Sequence, residues 1–227
     1  MKAMKKVLAL ALALAMVVTA FPVTSAEAAT LTAGKSKKIT YYVGKTNTVK
    51  LTGVKASNVK STTWSKNGST AVNLKSKAKT SVKVQVVKAG TAKVTASVKL
   101  KSGKTKKYTL NITAKNPTIT AASAATVAVG DKISVKATGV KPASATVEYS
   151  VDDATIATVD AATGDVTGVK AGTAKVTAKL TCGTTVKEVT TDVTVKSYVS
   201  LHLQMIMYHC QEQLPLIRLL LELHHMY

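Results

Sequence analysis

From residue 30 to residue 115 the sequence contains no aspartate, glutamate, histidine or cysteine. An enzyme needs groups that exchange protons or attack carbonyl or phosphoryl centres near neutral pH. Catalysis in this stretch would fall to an activated lysine, and its lysines recur at positions that face water. Residues 116–196 have acids but no histidine. The chain is therefore read as non-catalytic, with no cofactor and no metal. Only two cysteines, Cys182 and Cys210, occur in 227 residues, which excludes a disulfide framework and leaves packing to hold the fold. The one arginine is Arg218, and aromatics make up 4% of the chain. Without guanidinium forks for base edges or aromatic platforms for stacking, sequence-specific recognition of nucleic acid is excluded. Long apolar runs are also missing beyond the N-terminus: residues 214–223 are interrupted by Pro215, Arg218 and Glu222, so no transmembrane segment is expected there.

The N-terminus itself is patterned. Lys2, Lys5 and Lys6 precede an apolar and small-residue run, 7–20, broken only by Thr19, and then come Pro22 and Ala26-Glu27-Ala28. Basic charge, an apolar run too short to cross ~30 Å of hydrocarbon, and a small-x-small site make a secretory signal. Residues 1–28 are expected to be a cleaved signal peptide, with the mature protein secreted and extracellular.

The formal net charge of +21 is unevenly placed. Residues 30–115 hold 20 lysines and no acid, whereas residues 116–196 hold 8 lysines and 8 acids. Like charges at that density repel and lower stability, so a solvated face alone does not account for them. An anionic partner for the first half does.

An internal repeat sets the organisation. The nine residues from Lys88 to Ala96 (KAGTAKVTA) recur unchanged from Lys170 to Ala178, and Val43-Gly44, Val49-Lys50 and Thr52-Gly53-Val54-Lys55 recur as Val129-Gly130, Val135-Lys136 and Thr138-Gly139-Val140-Lys141. A period of about eighty residues exceeds that of solenoid repeats and marks a duplicated domain. Val94, Ala96, Val98 and Leu100 alternate with Lys93, Thr95, Ser97, Lys99 and Lys101, followed by a turn at Ser102-Gly103 and a return strand with Tyr108, Leu110 and Ile112 inward. Val176, Ala178 and Leu180, a turn at Cys182-Gly183, and Val189, Val193 and Val195 repeat the hairpin. Period-two alternation between turn signals predicts an all-β protein of two tandem immunoglobulin-like β-sandwich modules, 31–115 and 117–196. Trp64 and Tyr149, at corresponding places, are expected to fill the cores.

The run from Tyr149 to Asp160 (YSVDDATIATVD), followed by that from Gly164 to Val176 (GDVTGVKAGTAKV), resembles the bacterial Ig-like domain, group 2 family, found in invasin- and intimin-type adhesins and Gram-positive surface proteins. The resemblance implies an Ig-like fold in a bacterial cell-surface or wall setting; it carries over no catalytic or ligand residues. The first module keeps Trp64 and the 88–96 run, but residues 67–79 lack the I-A-x-V and Gly-turn pieces, which makes it divergent.

After Lys196 the composition changes. Residues 197–227 hold all four histidines and no Lys, Gly, Ala or Thr, and this atypical tail is read as out of frame. His202, His209, Cys210, His224 and His225 lack the compact paired spacing of a structural zinc site. Asp152, Asp153, Asp160 and Asp165 are turn residues rather than a calcium cluster. The residues expected to bind are therefore lysines of the first module's hairpin: Lys93, Lys99, Lys101, Lys104, Lys106 and Lys107. Their expected partner is an anionic cell-wall polymer or a host polyanion, held loosely and salt-sensitively. The leading reading is a surface adhesion or spacer protein. Its rival is the N-terminal remnant of a larger exported enzyme, such as a wall hydrolase, that uses these modules for targeting.

Overall fold

The computed structural model describes residues 28–198. The expected signal peptide and tail lie outside the described residues, apart from Ala28, Ser197 and Tyr198. Between Ala29 and Lys196 the chain is all-β, interrupted by one 3-10 turn at Ala56–Asn58.

The first eight strands form two four-stranded sheets. One has the order β1 (Ala29–Leu31), β3 (Thr46–Leu51), β6 (Ser81–Val86), β5 (Val72–Lys75). The other runs β2 (Ser36–Tyr42), β8 (Thr105–Lys115), β7 (Gly90–Leu100), β4 (Val59–Ser65). β1 on β3 and β2 on β8 are parallel. The remaining strands repeat the plan less regularly. A four-stranded sheet has the order β10 (Ala125–Ala128), β17 (Thr185–Lys196), β16 (Gly172–Cys182), β13 (Thr146–Val151). Facing it are a three-stranded sheet, β11 (Lys132–Ser134), β15 (Asp165–Gly168), β14 (Ala157–Val159), and a pair, β12 (Thr138–Lys141) with β9 (Thr118–Thr120).

Alternation fixes which face is inside. In β7 Ala92, Val94, Ala96 and Val98 are buried while Lys93 and Lys99 are exposed. In β16 Ala174, Val176, Ala178 and Leu180 are buried in the same way. The two sets of inward residues make separate cores. One holds Val49, Val94, Tyr108, Leu110 and Ile112 with Trp64, and the other holds Val127, Val166, Val176 and Val193 with Tyr149. Each fully buried Val or Leu contributes ~1.5–3 kcal/mol relative to exposure. The two aromatics are tied by their polar ends: Trp64 Nε1 donates to the Ala78 carbonyl at 2.9 Å, and the Ala137 amide donates to Tyr149 Oη at 2.9 Å.

Residues 67–79, which lack the family's letters, keep its shape. β5 pairs antiparallel with β6 as β14 pairs with β15, with Val72 opposite Val86 where Ala157 is opposite Gly168. A methyl group added at Gly172 would meet the Ile156 side chain at 2.9 Å, whereas one added at Gly90 would meet Ala71 at 3.7 Å. Ala71-Val72 thus occupies the place of Ile156-Ala157, and the smaller side chain is the divergence. The hairpin tips also differ. Gly183-Thr184 is a two-residue turn with Gly183 at φ +61°, while Lys101-Ser102-Gly103 is a three-residue turn with Gly103 at φ +85°. Both suit the right-handed twist of the strands that they join.

Candidate functional site: a lysine face and its neutral counterpart

Cross-strand register determines which lysines are neighbours. Residues opposite one another on adjacent strands share a face and lie ~4.5–5.5 Å apart at Cβ. On the outer face of the β2–β8–β7–β4 sheet, Lys38 is opposite Asn111, and Asn111 is opposite Lys93. Further along, Lys107 is opposite Ser97, which is opposite Thr63; then Thr105 is opposite Lys99, which is opposite Ser61. Lys38, Lys93, Lys99 and Lys107 are exposed. Between them lie the hydroxyls of Ser36, Thr95, Thr109 and Ser97, so the face is a field of cations and neutral donors. Asn111 Nδ2 donates to Ser36 Oγ at 2.8 Å, which holds the middle of the first row in place. Beside that row is an open hollow of about 650 Å³ bounded by Lys38, Lys93, Asn111, Thr113 and the turn at Asn67–Ser69.

The six lysines expected from sequence divide into three groups. Lys93, Lys99 and Lys107 share the outer face. Lys101 and Lys104 are exposed in the hairpin tip. Lys106 does not join them, because it is opposite Val98 and so has inward parity. It escapes burial by running over the sheet end, where Nζ donates to the Gly53 carbonyl at 2.9 Å. Lys38 was not among the six. It enters the face only through the parallel pairing of β2 on β8, which joins residues far apart in sequence.

On the equivalent face of the second module, Lys175 and Lys179 both have acids opposite them. Lys175 is opposite Asp192, with Nζ 3.9 Å from Oδ1. Lys179 lies between Glu148 on β13 and Glu188 on β17. By hairpin register the first module has Asn111 where the second has Asp192, and Lys107 where the second has Glu188. Together with Thr63 in place of Glu148 and Ser97 in place of Lys179, these changes leave the first module's rows with lysines and no acid.

The acidic turn residues of the second module use their oxygens locally. Asp153 Oδ1 accepts from Thr155 Oγ1 at 2.6 Å and Thr155 N at 2.9 Å. Asp160 Oδ1 accepts from Thr163 N at 2.8 Å and Ala162 N at 2.9 Å. Those bonds hold both carboxyls below the usual aspartate range, the Thr155 hydroxyl being the main cause for Asp153 and the Thr163 amide for Asp160. Asp152 Oδ1 accepts from Lys175 N at 2.8 Å. Cys182 is a free thiol buried at the end of β16, pushed up by burial against the opposing pull of Lys45. Among the described residues no helix is long and apolar enough to cross a membrane.

Residues 112–197 match the family model of the bacterial Ig-like domain (group 2). No curated protein sequence matches the chain. Among solved structures, the fibronectin(III)-like modules of Clostridium thermocellum CbhA share 13% identity over 72% of this chain and 92% of that one, with a TM-score of 0.33. Domains 4 and 5 of the S-layer protein SbsC share 23% identity over 64% of this chain and 74% of that one, with a TM-score of 0.30. Extracellular cadherin domains 1–4 of protocadherin gamma B7 share 14% identity over 74% of this chain, with a TM-score of 0.31, and the chain spans 51% of their length.

Proposed function

Residues 112–197 being a bacterial Ig-like domain of group 2, we propose that the protein is a non-catalytic adhesion or spacer component of the bacterial surface whose first module binds anionic polymers. The observation that carries this reading is the pair of register positions at which Asp192 and Glu188 give way to Asn111 and Lys107. A face kept only for solubility would gain from the acids, because opposite charges across strands stabilise a sheet. Here they are absent, and the cations remain free for an external partner. Lysine ammonium groups act as point charges beside hydroxyl and amide donors, a set suited to repeating phosphate or sulfate groups rather than to one shaped small molecule. The partner class is an anionic cell-wall polymer, with a host polyanion as the other source of the same chemistry.

The test compares two variants of equal charge. Changing Lys38, Lys93, Lys99 and Lys107 to Gln is expected to weaken binding to purified wall polymer or heparin. Its salt dependence should flatten by ~0.7–0.9 for each anionic group that a lysine no longer neutralises. Changing Lys170, Lys175, Lys179 and Lys187 to Gln removes as much charge from the second module and is expected to leave binding nearly unchanged. Equal losses in both variants would refute a localised face.

A further inference from the structure

The two modules meet through an asymmetric joint, and a copy of each half recurs in the other module with no module against it among the described residues. The turn between β2 and β3, Val43-Gly44-Lys45, rests on the β16–β17 tip. Thr184 N donates to the Gly44 carbonyl at 3.1 Å and its Oγ1 lies 3.5 Å from the same oxygen, while Lys45 Nζ reaches the Ser144 carbonyl at 3.5 Å. A methyl group on Gly44 would strike the Cys182 carbonyl, and one on Gly183 would strike the Gly44 carbonyl. The seam therefore brings backbone against backbone.

The turn Val129-Gly130-Asp131 copies the first half of this joint bond for bond. Val43 N donates to Lys115 O at 2.9 Å and Gly44 N to Val86 O at 3.0 Å; Val129 N donates to Lys196 O at 3.0 Å and Gly130 N to Gly168 O at 2.8 Å. The tip Lys101–Lys104 corresponds to the second half, one residue longer. Among the described residues, and apart from its own chain neighbours, neither Gly130 nor Gly103 has an atom within 4 Å of where a Cβ would stand. Beside the free tip is an open depression of about 450 Å³ lined by Gly53, Val54, Lys55, Asn58, Leu100 and Lys106. Asn58 corresponds there to Ser144, the seat of Lys45. Charge is exchanged on both sides: the turn carries Asp131 in place of Lys45, and the tip carries Lys101 and Lys104 where the internal one has Gly183 and Thr185. Asp131 Oδ1 accepts the Tyr198 hydroxyl at 2.7 Å, which pushes the Tyr198 phenol up. The aspartate remains an acceptor.

We propose that copies of this chain associate end to end, the Gly130–Asp131 turn of one seated on the Lys101–Lys104 tip and Lys55–Lys106 depression of the next. The occupant is a second copy because the acid and its lysine seat lie on turns of one chain that match the two sides of its internal joint. An interface of this heterologous kind does not close on itself unless its rotation does, so it generates linear chains. It uses the tip lysines and not the Lys38, Lys93, Lys99 and Lys107 row, and it needs no polyanion.

The test is sedimentation velocity of the purified full-length protein at low and high salt, with no polymer added. Wild type is expected to form concentration-dependent oligomers that dissociate as salt rises. Asp131→Lys installs the residue that the first module carries at that position, so the turn keeps its fold, and it is expected to weaken association at least tenfold. Lys101→Glu with Lys104→Glu is expected to do the same. Mixing the two weakened variants is expected to restore association, since each then offers an opposite charge to the other. A wild type that stays monomeric, an Asp131→Lys variant that associates as before, or a mixture that stays dissociated would overturn the proposal.

Discussion

Replacing Asn111 with Asp puts an acid at the centre of the Lys38–Asn111–Lys93 row, as Asp192 does beside Lys175. The new carboxylate has a cation on each side at cross-strand distance. Two unit charges ~5 Å apart attract by ~0.8 kcal/mol in water before screening, and measured opposite-charge pairs across strands give ~0.2–1 kcal/mol each. Two pairs therefore stabilise the first module by ~0.4–2 kcal/mol. The bond to Ser36 survives with reversed direction, the hydroxyl now donating to the carboxylate. For a module of this size each 1 kcal/mol raises the melting temperature by ~4–8 °C. Binding moves the other way. Lys38 and Lys93 are engaged by the new acid, so the slope of log K against log salt for a defined-length polyphosphate falls by ~1–2. Affinity at low salt drops about tenfold if each of the two lysine–phosphate pairs is worth ~0.7 kcal/mol. Calorimetric melting and titration at three salt concentrations read both effects on one sample. A variant that is no more stable, or that binds polyphosphate with the wild-type salt slope, would refute the reasoning that this row trades stability for anion binding.

Asn47 is buried on β3 with no partner for its Nδ2 among the described residues, and the corresponding residue of the second module is Ile133. Asn47→Ile is expected to raise stability by ~1–3 kcal/mol, the cost of an unsatisfied buried polar group, as read by urea denaturation; a loss would show that the amide is needed. Gly183→Ala forces a side chain against Gly44 at a position with φ +61°. It is expected to open the joint between the modules, lengthening the molecule in small-angle scattering while both cores keep their melting behaviour; an unchanged profile would refute the backbone seam. Asp153 and Asp160 have folded-state carboxyls below the ordinary aspartate value of 3.8, so the turns that they anchor contribute stability above that pH and lose it as pH falls through the lower folded value. Carboxyl carbon titration by NMR checks this, and a midpoint at or above 3.8 for either residue would contradict it.

The hairpins were legible because their information is local. Alternation in Lys93–Leu100 and Lys175–Leu180, glycine at the tips, and two aromatics at matching positions decide faces and turns without knowledge of distant pairings. The residues 67–79 were not. Their family letters are gone, and what persists is the small-apolar pair Ala71-Val72 in the place of Ile156-Ala157, recognisable only once β5 is seen against β6. The setting of Lys106 was hidden for a related reason. Counted in sequence it belongs to a lysine cluster, but its parity turns it inward, and only the free end of the sheet lets its stem reach the Gly53 carbonyl.

The sequence by itself determined that the protein is all-β, that the pattern is duplicated, and that its positive charge lies in residues 30–115, since composition and period-two alternation are properties of the chain. The tertiary structure decided which charges are neighbours and which turns touch. Lys38 meets Asn111, and Gly44 meets Gly183, through pairings that join residues 73 and 139 positions apart. No local preference encodes such contacts: the first arises when separate strands are brought into one register by burying their apolar faces, and the second when two folded modules meet turn to turn.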